Sequence, residues 1–315
     1  MMLTGKLRRT RGAVYVIVLA ASVMLLIMVA LVVDISRLYV ARRFLVNSCD
    51  ASALAGGMEL PSQTKATTQA SQCAQANAMP TYRVTFPADG ITSEGATKIR
   101  VDGQANVQYA FAGIMGLVSK TVSAYAVVQK TSSIGWASGV VPWGIPFYDS
   151  AGNPYQYNNG VMYTLKLGSN SSARVGGNFQ GLSLGGNGAS NYRSNIETGY
   201  QGVLHVGDTI SSEPGNMVGP TKQGVDYRVQ AASVSPWSND TWNNYDFGNP
   251  RIIIVPVTSP FLGNGRTDVQ ILGFAAFWLD SIQGQEVKGY FLSYTTPKAG
   301  GSGSYYGLST FRLIE

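Results

Sequence analysis

Gly12 to Val33 reads GAVYVIVLAASVMLLIMVALVV, 22 residues without a charge. As a helix it would be roughly 33 Å long, enough to cross the hydrocarbon core of a bilayer. Lys6, Arg8, Arg9 and Arg11 precede it with no acid among them, and Asp34-Ile35-Ser36-Arg37 follows at once. A cleaved secretory signal has a shorter apolar region, about 7–15 residues, ending in a small-x-small site. The run is also too long for a twin-arginine signal, although Arg8-Arg9 stands before it. It therefore reads as a retained single-pass anchor in the cell membrane, with the lipid bilayer as its first partner. Four basic residues on the N-terminal side face Arg37, Arg42 and Arg43 on the other. The positive-inside rule then favours, narrowly, a cytoplasmic N-terminus and an extracytoplasmic C-terminal region.

Outward from the anchor, composition separates several classes. The net charge of +6 is mostly topology signal, because residues from 34 onward carry 19 basic and 17 acidic side chains. No concentrated basic patch marks the large region, so nucleic acid is not expected as a partner. Charged residues make up only 13% of the chain, while Gly (37) and Tyr (17) are plentiful, which suits strands joined by tight turns.

The helical pattern continues beyond the span. Ile35, Leu38, Tyr39, Leu45, Cys49 and Leu54 are read as one apolar stripe, and Asp50-Ala51-Ser52-Ala53-Leu54-Ala55 is a strong helix former. Gly56-Gly57 and then Pro61 are expected to stop it, giving one helix from about residue 12 to 58. Residues 64–79 read as a second helix, and a hairpin centred near Pro61 would bring Cys49 and Cys73 to the same height. Two readings stay open for this pair. One is a disulfide, contributing about 3 kcal/mol by loop closure; the other is two unpaired buried thiols acting as small apolar residues.

Val33-Asp34-Ile35-Ser36-Arg37-Leu38-Tyr39, then Arg42-Arg43, then Asn47-x-x-Asp50-Ala51-x-Ala53-Leu54-Ala55-Gly56-Gly57 is a specific order of residues. It resembles the TadE/TadG-like proteins of the Flp (tight adherence) pilus system over residues 8–57, and more loosely over 80–130. The resemblance implies a bitopic accessory or minor pilin-like protein whose partners are other pilus-assembly membrane proteins or pilins, with self-association as a further expectation. It makes Asp34, Arg37, Tyr39, Asn47, Asp50, Ala51, Ala53, Leu54, Ala55 and Gly56 the family-motif residues. The sequence departs from related patterns in three ways. Prepilin-type processing places Glu at the fifth residue after the cleaved Gly, where Ile17 stands here. Asp34-Ile35-Ser36-Arg37-Leu38 lacks the second Ser of a von Willebrand metal motif and sits at the membrane edge. The large C-terminal region is not of the von Willebrand type.

The expected fold is α+β: an N-terminal transmembrane helix continuing into a helical stalk and hairpin, a small α+β pilin-like unit, and a C-terminal all-β barrel or sandwich. The boundaries are 1–11 for the basic stub, 12–33 for the span, 34–79 for the stalk and hairpin, 80–130 for the small unit, 131–139 for a linker and 140–315 for the exported β-rich domain. In the small unit, strands are expected over 82–86 and 98–109, a short helix over 110–117 and a closing strand over 120–129. In the large region, strand-like runs are expected at 161–167, 202–206, 226–229, 251–257, 269–279 and 287–294. Gly273 is expected to mark a bulge or tight bend. Turn signals fall at Gly152-Asn153-Pro154, Asn159-Gly160, Gly176-Gly177, Asn187-Gly188, Pro214-Gly215 and Gly263-Asn264-Gly265.

Chemistry is sparse. His205 is the only histidine, lies in an alternating run, and reads as a surface residue on a strand. Gly185-Gly186-Asn187-Gly188 reads as a turn rather than a phosphate nest, since no Gly-Lys-[Ser/Thr] follows. Glu197, Asp208, Glu213 and Asp226 read as turn-capping carboxylates rather than a paired site. Trp237 and Trp242 in the polar loop 235–249 are the candidates for ligand stacking, against a role in anchoring that loop. No metal, cofactor or catalytic set is expected. The reading is a non-enzymatic accessory or minor pilin-like component; the alternative is a tethered cell-surface enzyme or a glycan- or cell-wall-binding adhesin module.

Overall fold

In the computed structural model, which describes residues 6–78, 84–87, 89–147, 160–169, 180–262 and 265–314, one helix runs unbroken from Lys6 to Met58 (α1). No proline interrupts it. From Gly12 to Val33 it is apolar all round and largely uncovered: Leu25, Leu26 and Ile27 are between 61 and 65% exposed. This helix is long and apolar enough to cross a membrane, and none of its most apolar stretch is buried in the protein.

The second part of α1 is packed, on a face that shares Leu45 and Cys49 with the stripe read in the sequence but not Ile35 or Tyr39. Asp34, Ala41, Leu45, Ser48, Cys49, Ser52 and Ala53 are buried, whereas Ile35 and Tyr39 are exposed. Small side chains, rather than large apolar ones, make the contact. Gly56 and Gly57 do not stop the helix, which passes through both to Met58. They are there for close approach: a Cβ on Gly56 would come within 2.5 Å of Ile99 Cδ1 and 2.7 Å of the Ala66 carbonyl, and one on Gly57 within 2.5 Å of Val128. After Pro61 the chain reverses into α2 (Gln63–Ala76), whose N-cap Ser62 accepts from the Lys65 amide and whose Ala66, Ala70 and Ala74 bury against α1.

β1 (Val84–Thr85), β2 (Ile91–Glu94), β3 (Lys98–Gln108) and β4 (Ser119–Thr131) follow. β3 and β4 form a long antiparallel hairpin, from Lys98↔Gln129 to Gln108↔Ser119. Between them the expected short helix is one 3₁₀ turn, Ala112–Met115. Next come β5 (Trp136–Ala137), β6 (Ile145–Pro146), β7 (Met162–Lys166), α3 (Ala189–Thr198), β8 (Leu204–His205), β9 (Thr209–Ser211) and α4 (Val218–Ala231). The chain ends with β10 (Ile252–Thr258), β11 (Asp268–Gln283), β12 (Glu286–Leu292), β13 (Tyr294–Thr295), β14 (Ala299–Gly300) and β15 (Leu308–Leu313).

Among the described residues, three sheets result. The first has the order β1-β3-β4-β15-β13, with β2 also on β3; the second β6-β10-β11-β12-β7, with β9 on β11; the third β14-β5-β8. The second sheet alternates cleanly, as a sheet covered on both faces must. Phe274, Ala276 and Trp278 enter one core with Ile254 and Leu292, and Ala275, Phe277 and Leu279 enter another with Val255 and Phe291. The bulge expected near Gly273 lies beside it, where the β10–β11 register slips between Val257↔Gly273 and Thr258↔Ile271.

The C-terminal region is β-rich with curled sheets, and the whole chain is α+β, as expected. Two helices nonetheless lie within the part read as all-β. Residues 226–229, read as a strand, belong to α4. The segment read as a linker, 131–139, carries β5 and the fully buried Ile134 and Ala137. The turn signals at 152–154, 159, 176–177 and 263–264, and the start of the strand expected from 82, lie outside the described residues.

In a free helix Gly→Ala stabilises by about 1 kcal/mol. At Gly56 the sign should reverse, because the new methyl meets a backbone oxygen that cannot yield; Gly56→Ala is expected to cost about 1–3 kcal/mol. Gly219→Ala in α4, where nothing lies within 4 Å, should be neutral or stabilising. Thermal unfolding in detergent distinguishes the two, and equal midpoints would refute the close-approach account.

Candidate functional site at the membrane edge of the stalk

The hairpin β3–β4 packs along α1 and runs back toward the apolar span. Ile99 meets α1 at Gly56, and Gly103 lies against Cys49 and Leu45. The backbone at Ala110 reaches Asp34. From Gly56 to Asp34 a helix covers roughly 33 Å, and from Ile99 to Ala110 a strand covers roughly 36 Å. The two elements are therefore matched in length, and the hairpin tip arrives where the apolar run begins.

Asp34 fixes that arrival. It is 3% exposed, and its carboxylate accepts from the amides of Ala110 (2.6 Å), Phe111 (3.1 Å) and Ala112 (2.8 Å). A carboxylate here replaces the partners that the entry of a helical turn leaves unsatisfied. The sequence marked Asp34 as a motif residue but gave no sign of what it holds, because its partners lie 76 to 78 residues away and are backbone amides.

The other motif residues divide by face. Ala53 and Gly56 are buried, Asp50, Ala51, Leu54 and Ala55 are half-buried, and Arg37 is half-buried. Tyr39 and Asn47 are exposed. Cys49 and Cys73 are both free thiols. Cys49 is fully buried with its sulfur on the Ala124 carbonyl of β4, whereas the Cys73 sulfur accepts from the Asn77 side chain on its own helix.

Residues 12–59 match the Tad family model, described as putative Flp pilus-assembly TadE/G-like. The resemblance read from Asp34–Tyr39 and Asn47–Gly57 is borne out over this segment. The Tad-matched segment lies within α1 except for its last residue, so it comprises both the apolar span and the packed stalk. Among curated proteins and among solved structures, nothing matches the chain. A Tad pilus-assembly segment with an apolar N-terminal helix fits a membrane-anchored component of that system.

Beyond the Tad-matched segment, polar groups are engaged locally. The Glu213 carboxylate is buried; it accepts from Ser183 Oγ (2.5 Å) and from the Gly188 amide (3.0 Å). One amide of the Gly-rich turn is thus taken by an internal acid, and Gly185, Gly186 and Gly188 supply the positive φ angles the turn needs. Arg266 donates to Ser183 and Asn187 beside a cleft of about 280 Å³. Glu197 pairs with Arg193, Asp208 accepts from the His205 amide, and Asp226 pairs with Lys222, so the four acids do not converge. His205 is an exposed strand residue 3.8 Å from Asp208. Trp242 stacks on Tyr290 with ring centroids 4.8 Å apart, and Trp237 opens a short 3₁₀ turn, half-buried. Among the described residues, no group of three or more His, Cys, Asp or Glu is placed to hold a metal.

Lys166 is a buried cation, 1% exposed, donating to Asn216 Oδ1 (2.7 Å) and the Leu167 carbonyl (3.4 Å). Burial pulls its ammonium from the ordinary 10.5 to about 8, with Glu286 opposing the drop.

Two predictions follow from these groups. Asp34→Ala should leave three amides without a partner and free the 109–118 loop; limited proteolysis of the detergent-solubilised chain should cut there faster, with Asp34→Asn intermediate. Unchanged cutting would mean that Asp34 does not hold the tip. For Lys166 the folded pKa lies below the unfolded one, so its penalty is fully present below pH 8 and fades as pH rises toward 10.5. The unfolding midpoint of the wild-type chain should therefore rise relative to Lys166→Met between pH 8 and 10. Parallel midpoint profiles over that window would contradict the assignment.

Proposed function

We propose that this chain is a non-enzymatic, membrane-anchored accessory or minor pilin-like component of Tad/Flp pilus assembly. Its N-terminal stub lies in the cytoplasm, α1 crosses the membrane once, and the β-rich region stands outside as an interaction surface. Its partners are the bilayer, other pilus-assembly membrane proteins or pilins, and further copies of itself.

The observation that carries this reading is the coincidence of the Tad family match with one continuous helix. That helix is uncovered along its apolar run and packed along the rest, the division a bitopic anchor requires. Arg42 and Arg43 are exposed just past the span, at the height of lipid headgroups or of a partner's acidic groups.

Deleting the gene in its source organism should abolish assembled Flp pili, and the wild-type gene should restore them. A chain with Leu25, Leu26 and Ile27 replaced by Lys should leave the membrane pellet and fail to restore pili, since each charge at the bilayer centre costs about 2.5–3.5 kcal/mol on insertion scales. Normal pilus number in the deletion strain would end the pilus reading. Normal recovery of the Lys-substituted chain in the pellet would end the anchor assignment.

A further inference from the structure

We infer that the tip of the β3–β4 hairpin is a second membrane-inserting element, a wedge that enters the outer lipid–water interface beside α1. This rests on the reading of α1 as the membrane span.

The tip is apolar and uncovered. From Tyr109 to Ser119 the sequence YAFAGIMGLVS contains no charge. Ile114 is 91% exposed, Met115 81% and Val118 72%, and Phe111 and Leu117 are also exposed. Large apolar side chains clustered at such exposure on one loop mark an interaction site rather than scattered surface residues.

Its height identifies the occupant. The Asp34 carboxylate holds Ala110, Phe111 and Ala112, one residue past the apolar run. The hairpin has travelled along α1 toward the span to reach this point, and the 3₁₀ turn continues from there. On α1 itself Ile35, Tyr39 and Val40 remain exposed; Arg37 is half-buried, with a stem long enough to carry its charge to the headgroups, and Arg42 and Arg43 are exposed beyond it. From Gly12 to Val40 a helix measures about 42 Å, the thickness of a bilayer with its headgroup regions. The tip therefore sits inside the interface, not beyond it. Lys120, exposed at the start of β4, is placed to meet headgroup phosphates.

The backbone of the tip is equipped for that environment, where an unpaired amide is costly. The Tyr109 amide bonds to Val118, Ile114 to Phe111, Gly116 to Gly113 and Leu117 to Ala112. Asp34 takes the amides of Ala110, Phe111 and Ala112. An exposed loop in water has no need for this, because solvent would satisfy those groups. Asp34 thus lets non-helical backbone rest at membrane depth, and the wedge gives the outer region a second point of attachment that fixes its tilt against the bilayer.

The test uses the full chain with Cys73→Ser; Cys49, fully buried, stays in place. Single cysteines at Leu25, Thr92, Ile114 or Leu117 are labelled with an environment-sensitive fluorophore and reconstituted into phosphatidylcholine–phosphatidylglycerol vesicles, with or without doxyl-labelled lipid. Probes at 114 and 117 should lose about half their emission to shallow doxyl lipid, as interfacial groups do, while the probe at the exposed Thr92 should be unaffected. A probe at 25 should be quenched most by deep doxyl lipid. If 25 is quenched but 114 and 117 behave like 92, the wedge is refuted and the anchor stands. If 25 is not quenched, the anchor reading itself fails. Probes at 114 and 117 shielded from both lipid quencher and aqueous iodide would place the tip against protein, another copy of the chain or a partner, and would also overturn the proposal.

Discussion

The close approach of α1 to the β3–β4 hairpin governs the rest of the molecule. It depends on what α1 lacks: Ala41, Cys49, Ala53, Gly56 and Gly57 leave room for a sheet to lie directly on the helix, with Leu45 as the one large buried side chain among them. Such a contact gains little from any single side chain. It gains from length, since dispersion and burial accumulate over several helical turns against two long strands. It also fixes register, because each missing Cβ accommodates one particular neighbour, Ile99 at Gly56 and Val128 at Gly57. Sliding the hairpin along the helix would move Ile99 and Val128 off the two glycines and onto residues that carry a Cβ. Asp34 closes the far end with three amides, so the hairpin is set at both ends.

That fixed frame explains how a large β-rich region is held to a single helix. The chain's last strand, β15, leaves the C-terminal region and pairs antiparallel with β4, and β13 then pairs parallel with β15. The first sheet is thus built from both the stalk region and a strand far along the chain. Smaller ties reinforce this union near the α1–α2 turn. Thr295 Oγ1 donates to the Leu60 carbonyl at 2.7 Å, and Lys65 Nζ donates to the Tyr245 carbonyl at 2.8 Å. Burial pushes the Glu59 carboxyl up at this joint, with Lys65 pulling it down and Asp246 pushing it up. The C-terminal region is thereby tied to the stalk by backbone pairing as well as by side chains. Backbone pairing of this kind couples the C-terminal region to α1 through the first sheet.

How much could be read from the sequence depended on which residues carried each element. The span and the strands β10, β11 and β12 were legible because large apolar residues follow each element's own period. The helices α3 and α4 were not. Their buried positions include Asn195, Thr221, Gly224 and Arg228, and glycines or Pro220 stand within or beside them, so periodicity and propensity both pointed elsewhere. Gly224 lets α4 approach Ile196 of α3, a contact that no local pattern announces. The same blindness applied to α1: Ile35 and Tyr39 were read in the apolar stripe and face outward, while Asp34 and Ser52, outside that stripe, are buried. The site at the membrane edge was half legible. Its residues belong to a recognisable motif, but the groups they hold are backbone amides, which no side-chain pattern can announce.

A division of constraint follows along the chain. Residues 12–33 have to suit lipid on every side, and many apolar side chains would serve. Residues 34–57 have to suit a sheet and a second helix at once, and apart from Leu45 the positions they bury are small or acidic: Asp34, Ala41, Ser48, Cys49, Ser52, Ala53, Gly56 and Gly57. That is the part of the chain in which a recognisable motif can be written. The β-rich region is held differently: it needs a strand to complete the first sheet and a groove for the α1–α2 turn, and its interior is closed by alternation, a pattern many sequences satisfy. Its distinctive polar groups are also turned inward, with Glu213 on Ser183 and Gly188, and Lys166 on Asn216.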